Sequence, residues 1–339
     1  MVYRLLAMAS MMFVVSGVAA PAQPLELSGG KSIDLVIGSA PSGGYNAYAR
    51  LVARNLGRHV PGNPNIVPKN MPGAGSSTAA AYIFNIAPKD GTVLGAVQPA
   101  AIMEPLYEPK LKSRYDPQKF IFLGSPNSGT RVCATFHTSQ TKTFEDALRT
   151  TTLIGGAGGS TQDHPAFLNA LLGAKFKIVT GYQSTGEVML AMERGEVEGL
   201  CGLDYSSFAT ARPEWMRDKK VNFLVQVGFA SVPELDAIDV PMLSSFVRDQ
   251  ETRDVIELIV GEQIFHRPYI APPGVPQERV AVLRKAFDLM FKDDQFLRDA
   301  QQANLQILPT SGEEIQRLVN KMYDTSEPIV ERARNALGR

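Results

Sequence analysis

The chain has 339 residues, 44% of them hydrophobic and 20% charged, which are the proportions of an ordinary globular protein rather than a disordered or fibrous one. Lys+Arg and Asp+Glu both total 34, so no global field draws the chain to nucleic acid or to an anionic lipid surface. The length suits two domains of ordinary size, and an anionic ligand would have to be caught by local dipoles.

Arg4 precedes an apolar stretch from Leu5 to Ala20, and Ala20-Pro21-Ala22 sets small residues where a signal peptidase reads. A signal peptide over residues 1–22, cleaved near Ala22, and export of the mature chain are therefore expected. A membrane anchor is the alternative, but the run is short for a span. No cysteine follows the stretch, which argues against a lipoprotein.

From Ser32 onward, strand-like and helix-like patterns alternate. Ile33 to Gly38 reads as a buried strand and Tyr45 to Val60 as a helix, with Tyr48, Leu51, Val52 and Leu56 on one face. Pro61-Gly62-Asn63-Pro64 ends it, and Asn65 to Asn70 is a second strand. Ala79 to Ile86 reads as a helix and Thr92 to Val97 as a third strand. The rhythm restarts near Ile121, with strands expected at Thr130 to Phe136, Leu153-Ile154, Lys177 to Thr180, Val197 to Cys201 and Asn222 to Val227. Arg279 to Phe291, Asp294 to Ala303 and Glu313 to Arg334 then read as helices. Such alternation indicates parallel, doubly wound sheets in an α/β fold of two lobes, the second inserted in the first. The two cysteines, Cys133 and Cys201, lie in apolar strand-like runs. An oxidising compartment favours a disulfide between them, two buried free thiols being the alternative.

Three glycine-rich segments follow strands and precede helices: Pro41 to Asn46, Pro72 to Ser77, and Gly155 to Thr161. Glycine lets successive N–H groups turn toward one point, and the following helix adds its positive end, so each is a seat for an anion. A single such turn would mean little, because glycine is the default residue of a tight βα connection. In open α/β sheets ligands sit beyond the carboxyl ends of strands, where all three fall. Tyr182-Gln183-Ser184-Thr185-Gly186 offers further donors, or simple helix capping by Ser184 or Thr185. Asp204 to Ser207 either lines an opposite wall or forms a polar loop.

Catalytic and cofactor motifs are missing. The sequence has no GxxxxGK[ST], no GxGxxG and no GxSxG, and its four histidines have no metal-like spacing. No cofactor, metal or nucleic-acid partner is expected. His164 reads equally as a ligand contact or as a hydrogen-bonded histidine at a helix start. Arg50 reads as exposed or ion-paired, and Met189 and Met192 as core.

With these blocks in view, the chain resembles the periplasmic receptors of tripartite tricarboxylate transporters, the Bug proteins. The matching pieces are Pro41-Ser42-Gly43-Gly44, Ala49 to Ala53, Asn70 to Gly75, Ala87 to Thr92, Pro105-Leu106-Tyr107, the Gly158–His164 loop, Gly195 to Glu198 and Ala271 to Pro276. The resemblance implies a type II-like, Venus-flytrap binding protein, monomeric, without catalysis. Its lobe 1 would be discontinuous, at 23–123 and 230–339, with lobe 2 at 124–229. It further implies that backbone N–H groups of Ser42, Gly43, Gly44, Gly75 and Ser76 grip one carboxylate of a small organic acid. Tyr45, Asn46 and Gly73 belong to the same jaw. Gly159, Ser160, Thr161, Gln183 and Asp204 would face the ligand's other end, and closure would present the receptor to integral-membrane transporter subunits. A sensor-coupled binding protein and a periplasmic hydrolase are the rival readings. The chain departs from the family pattern in Asn46 where Asp is common, in the bulky Tyr45 before it, in a third loop whose spacing to His164 is about one residue long, in Ser184 in place of a glycine, and in the two cysteines.

Overall fold

Apolar runs too short for helices form the strands, and glycine-rich turns hand three of them on to helices. The computed structural model describes residues 32–41, 43–112 and 114–339; Ser42 and the expected signal segment 1–22 lie outside the described residues. In chain order, β1 (Ile33–Ile37), α1 (Gly43–Leu56), β2 (Ile66–Asn70), α2 (Ser77–Asn85), β3 (Val93–Ala96), α3 (Ala100–Tyr107) and β4 (Ile121–Ser125) come first. They are followed by β5 (Arg131–Phe136), β6 (Thr152–Gly155), α4 (Ser160–Leu172), β7 (Phe176–Val179), α5 (Thr185–Glu193), β8 (Gly199–Asp204) and β9 (Val221–Val227). The remainder comprises α6 (Gln250–Val260), β10 (Tyr269–Ala271), α7 (Gln277–Met290), α8 (Asp294–Gln302), β11 (Thr310–Ser311), α9 (Gly312–Tyr323) and α10 (Glu327–Ala336), with shorter helical turns between.

The strands form two sheets, ordered β11-β4-β10-β3-β1-β2 and β7-β6-β8-β5-β9. Parallel pairing joins β1 to β2 and β3, and β6 to β7 and β8, as alternating strands and helices predict. Neither sheet is purely parallel, however. β10 runs antiparallel to β3 and β4, and β5 antiparallel to β8 and β9. The cause is connectivity: β5 follows β4 through residues 126–130 with no crossover helix, so it enters the second sheet at the edge where the other strands end. Arg131, its first residue, therefore pairs with Asp204 at the carboxyl end of β8 and with Val227 at the end of β9.

Packing follows the expected faces. Leu51, Val52 and Leu56 of α1 are fully buried and cluster with Ile33, Leu35 and Ile37 of β1 and Phe287 of α7. Met189 and Met192 are buried beside Val132 and Leu200 of the second sheet. A third cluster includes Phe122 and Ile270 of the first sheet, Leu224 and Val225 of the second, and Val255 and Ile259 of α6. Thus the sheets share apolar packing around α6. Cys133 and Cys201 stand opposite each other on β5 and β8, fully buried and joined as a disulfide. One expectation needs correction: Glu313 to Arg334 is not one helix. It breaks between α9 and α10, because Pro328 lacks an N–H and its ring would meet the Asp324 carbonyl of a continuing helix.

Candidate functional site

The three glycine-rich loops leave the carboxyl ends of β1, β2 and β6. Side chains tie the first two together. Ser76 Oγ donates to the Gly38 carbonyl at 2.8 Å and accepts from the Gln98 N–H at 3.1 Å, joining the loops after β1, β2 and β3. Asn70 Nδ2 donates to the Ser39 carbonyl at 2.9 Å and to Asn46 Oδ1 at 3.1 Å, while Arg50 reaches both amides. Arg50 thus braces two amides and makes no ion pair among the described residues.

The third loop is shaped by backbone freedom. Gly158 and Gly159 have φ of 89° and 53°, the left-handed region that favours glycine. Thr161 Oγ1 accepts from the Ala157 N–H and donates to the Gly158 carbonyl, both at 2.8 Å, closing the loop onto the start of α4. The opening N–H groups of a helix have no intrahelical acceptor, so this end of α4 presents donors and the positive pole of its dipole. Behind it, Gly202 of β8 approaches so closely that a Cβ there would lie 2.1 Å from the Ser160 carbonyl oxygen.

Between these elements lies a cavity of about 420 Å³. Tyr45, Gln98, Pro99 and one face of α3 line it on the side of the first sheet; Arg131 and Ala157 to Ser160 line it on the other. Asp163, His164, Glu262 and Arg339 complete the polar wall. The Arg131 side chain is only 5% exposed, and its Nη1 pairs with Glu262 Oε1 at 3.0 Å. Arg339 pairs with Asp163 at 3.0 Å. His164 Nδ1 lies 3.0 Å from the Ser160 carbonyl and its Nε2 lies 3.2 Å from the Gln263 amide. Burial, reinforced by Arg131, holds its pKa well below the usual histidine range, so the imidazole is neutral. Burial raises the Asp163 carboxyl, against the pull of Arg339.

Of the residues expected to bind ligand, Tyr45, Gly159 and Ser160 come together on the cavity wall. Gly43, Gly44, Asn46, Gly73, Gly75, Ser76, Thr161, Gln183 and Asp204 stand outside its lining. A Cβ on Gly75 would lie 3.9 Å from the Glu104 carboxylate, which does line the cavity, so the second loop abuts it. Gln183 is exposed, and Ser184 caps α5 by accepting from the Glu187 N–H. Asp204 is buried, with Oδ2 3.2 Å from His266 Nδ1 and Oδ1 without a partner among the described residues. His266 in turn contacts the edge of Tyr45, whose ring carries the Arg267 guanidinium 4.0 Å from its centroid. Arg131, Glu262, Asp163, Glu104 and Arg339 escaped the sequence reading. Only Glu104, a lone acid on the otherwise apolar α3, left a local trace.

Solved structures share this architecture over nearly the whole chain. A TctC solute binding protein from Polaromonas superposes with a TM-score of 0.69 at 15% identity, covering 91% of this chain and 98% of that one. The chain has the fold of that TctC protein. MatC from Rhodopseudomonas palustris, solved with bound malate, gives 0.61 at 20% identity over 91% and 99%. A second protein of that organism, solved with adipate, gives 0.62 at 17% over 89% and 97%. No protein-family model matches the sequence, and no curated protein does. Two mixed sheets with flanking helices are common ground between the chain and this fold; the sequence implied the two α/β sheets with their helices but not the antiparallel strands. Among the described residues no helix is long and apolar enough to cross a membrane.

Proposed function

We propose that the protein is an exported, periplasmic receptor of the tripartite tricarboxylate transporter type, which captures a small organic carboxylate and delivers it to integral-membrane subunits without transforming it. Residues 23–123 and 230–339 would form one lobe and residues 124–229 the other, working as a monomer that closes about a hinge. One observation carries this reading: the buried Arg131 and the donor end of α4 face the same cavity, between loops leaving the carboxyl ends of both sheets. Proteins of this fold solved with malate and adipate support the ligand class.

Arg131 has N–H groups beyond the one committed to Glu262, and the guanidinium fork matches a carboxylate. Charge-assisted hydrogen bonds at about 1.5–3 kcal/mol each, a few together, suffice for micromolar affinity. A thermal-shift screen of a carboxylate library, followed by calorimetry on the hits, tests the reading. Stabilisation by carboxylates, weakened at least about tenfold by Arg131→Ala, is the expected result. Stabilisation by sugars alone, with none by any carboxylate, would overturn it.

A further inference from the structure

The acidic and basic groups around the cavity do not cancel. Arg131 pairs with Glu262 and Arg339 with Asp163, so of the three carboxyls and two guanidiniums on the wall Glu104 is the one without an ion pair among the described residues. Arg339, 5.6 Å from the Tyr107 ring centroid, still acts on it, against Glu108, Asp163 and Glu262. The Glu104 carboxylate makes no hydrogen bond among the described residues, although it is half-buried on the wall. It stands on α3 with Ala100, Met103 and Tyr107, spaced so that all four share the face turned to the cavity. Tyr107 supplies an independent sign. The residue is 4% exposed, lines the same cavity, and its hydroxyl has no hydrogen-bond partner among the described residues. A buried hydroxyl without a partner is unfavourable, and one on a ligand cavity is satisfied when the ligand arrives.

A second carboxylate placed against α3 would meet Glu104 in a partly desolvated setting, where burial and the neighbouring Glu108, Asp163 and Glu262 already raise its pKa and a further negative charge is unfavourable. A protonated amine there would gain an ion pair with Glu104 and donate to Tyr107 Oη. Resting on the carboxylate reading above, we infer that the solute is an aminocarboxylate, its carboxylate toward Arg131 and the start of α4 and its ammonium toward Glu104 and Tyr107. Glu104 is then the residue that selects against plain mono- and dicarboxylates.

Calorimetry on the full mature protein with matched probes tests this: butyrate against 4-aminobutyrate, propionate against alanine and β-alanine, and succinate against aspartate. The amine-bearing member of at least one pair should bind on the order of 10- to 100-fold more tightly than its amine-free partner. Glu104→Gln should remove most of that preference, and Tyr107→Phe part of it, with thermal melting of the unliganded variants reporting whether they fold. Equal or tighter binding of the amine-free acids by the wild-type protein would overturn the inference while leaving the carboxylate reading intact. So would an unchanged preference in a folded Glu104→Gln protein. Butylamine is the separate control: if it binds while no carboxylate does, the carboxylate reading itself fails.

Discussion

Asp204 shows how burial alters a single carboxyl. Burial raises its pKa, while Arg131 and Arg267 pull the other way and Glu262 adds to the rise. His266, its 3.2 Å neighbour, has its own pKa driven well below the usual range by burial and then by Arg267 and Arg131. A carboxyl whose pKa is higher folded than unfolded binds its proton more tightly in the folded state. Its contribution to stability is present below the ordinary aspartate pKa and lost as pH rises through the raised value. Asp204→Asn, which keeps an acceptor for His266, should therefore flatten that fall in denaturant titrations run upward from about pH 4, the ordinary aspartate range. An identical slope in the variant would show that the fall has another source. The sequence marked Asp204 as a polar group at a strand's carboxyl end, but its burial depends on the His266 segment, distant in the chain.

Among the elements, β5 and β8 decide the most. Helical and strand periodicity foretold both strands within a few residues, because periodicity is set by near neighbours. Direction is different: nothing local distinguishes a parallel strand from an antiparallel one, and the reversal of β5 brings Arg131 to the rim that holds the third glycine loop. A parallel β5 would put that guanidinium at the far edge. Gly202 of β8 backs the same rim, with φ of 78° and α4 pressed against it. Gly202→Ala should push α4 outward, destabilise the protein by about 1–3 kcal/mol, and weaken carboxylate binding because Ser160 moves with the helix. Denaturation and calorimetry on one preparation separate the two effects. Unaltered values of both would mean that the close approach is unimportant.

For the whole molecule, the Cys133–Cys201 disulfide closes a sequence separation of 68 residues between adjacent strands of the second sheet. Replacing both cysteines with alanine should lower unfolding free energy by about 2–4 kcal/mol and make stability insensitive to reductant. A wild-type protein equally stable with and without reductant would contradict a structural role for the bond. The sequence by itself determined what depends on near neighbours: the strand and helix order, the buried faces of α1 and α5, and glycine loops at the carboxyl ends of β1, β2 and β6. Only the tertiary structure decided the charge pattern of the cavity. Arg131 meets Glu262 across 131 residues of chain and Arg339 meets Asp163 across 176. Periodicity and turn chemistry act over a few residues, whereas these pairs, and the Glu104 that shares their cavity wall, come together only where the packed sheets bring distant segments to one place.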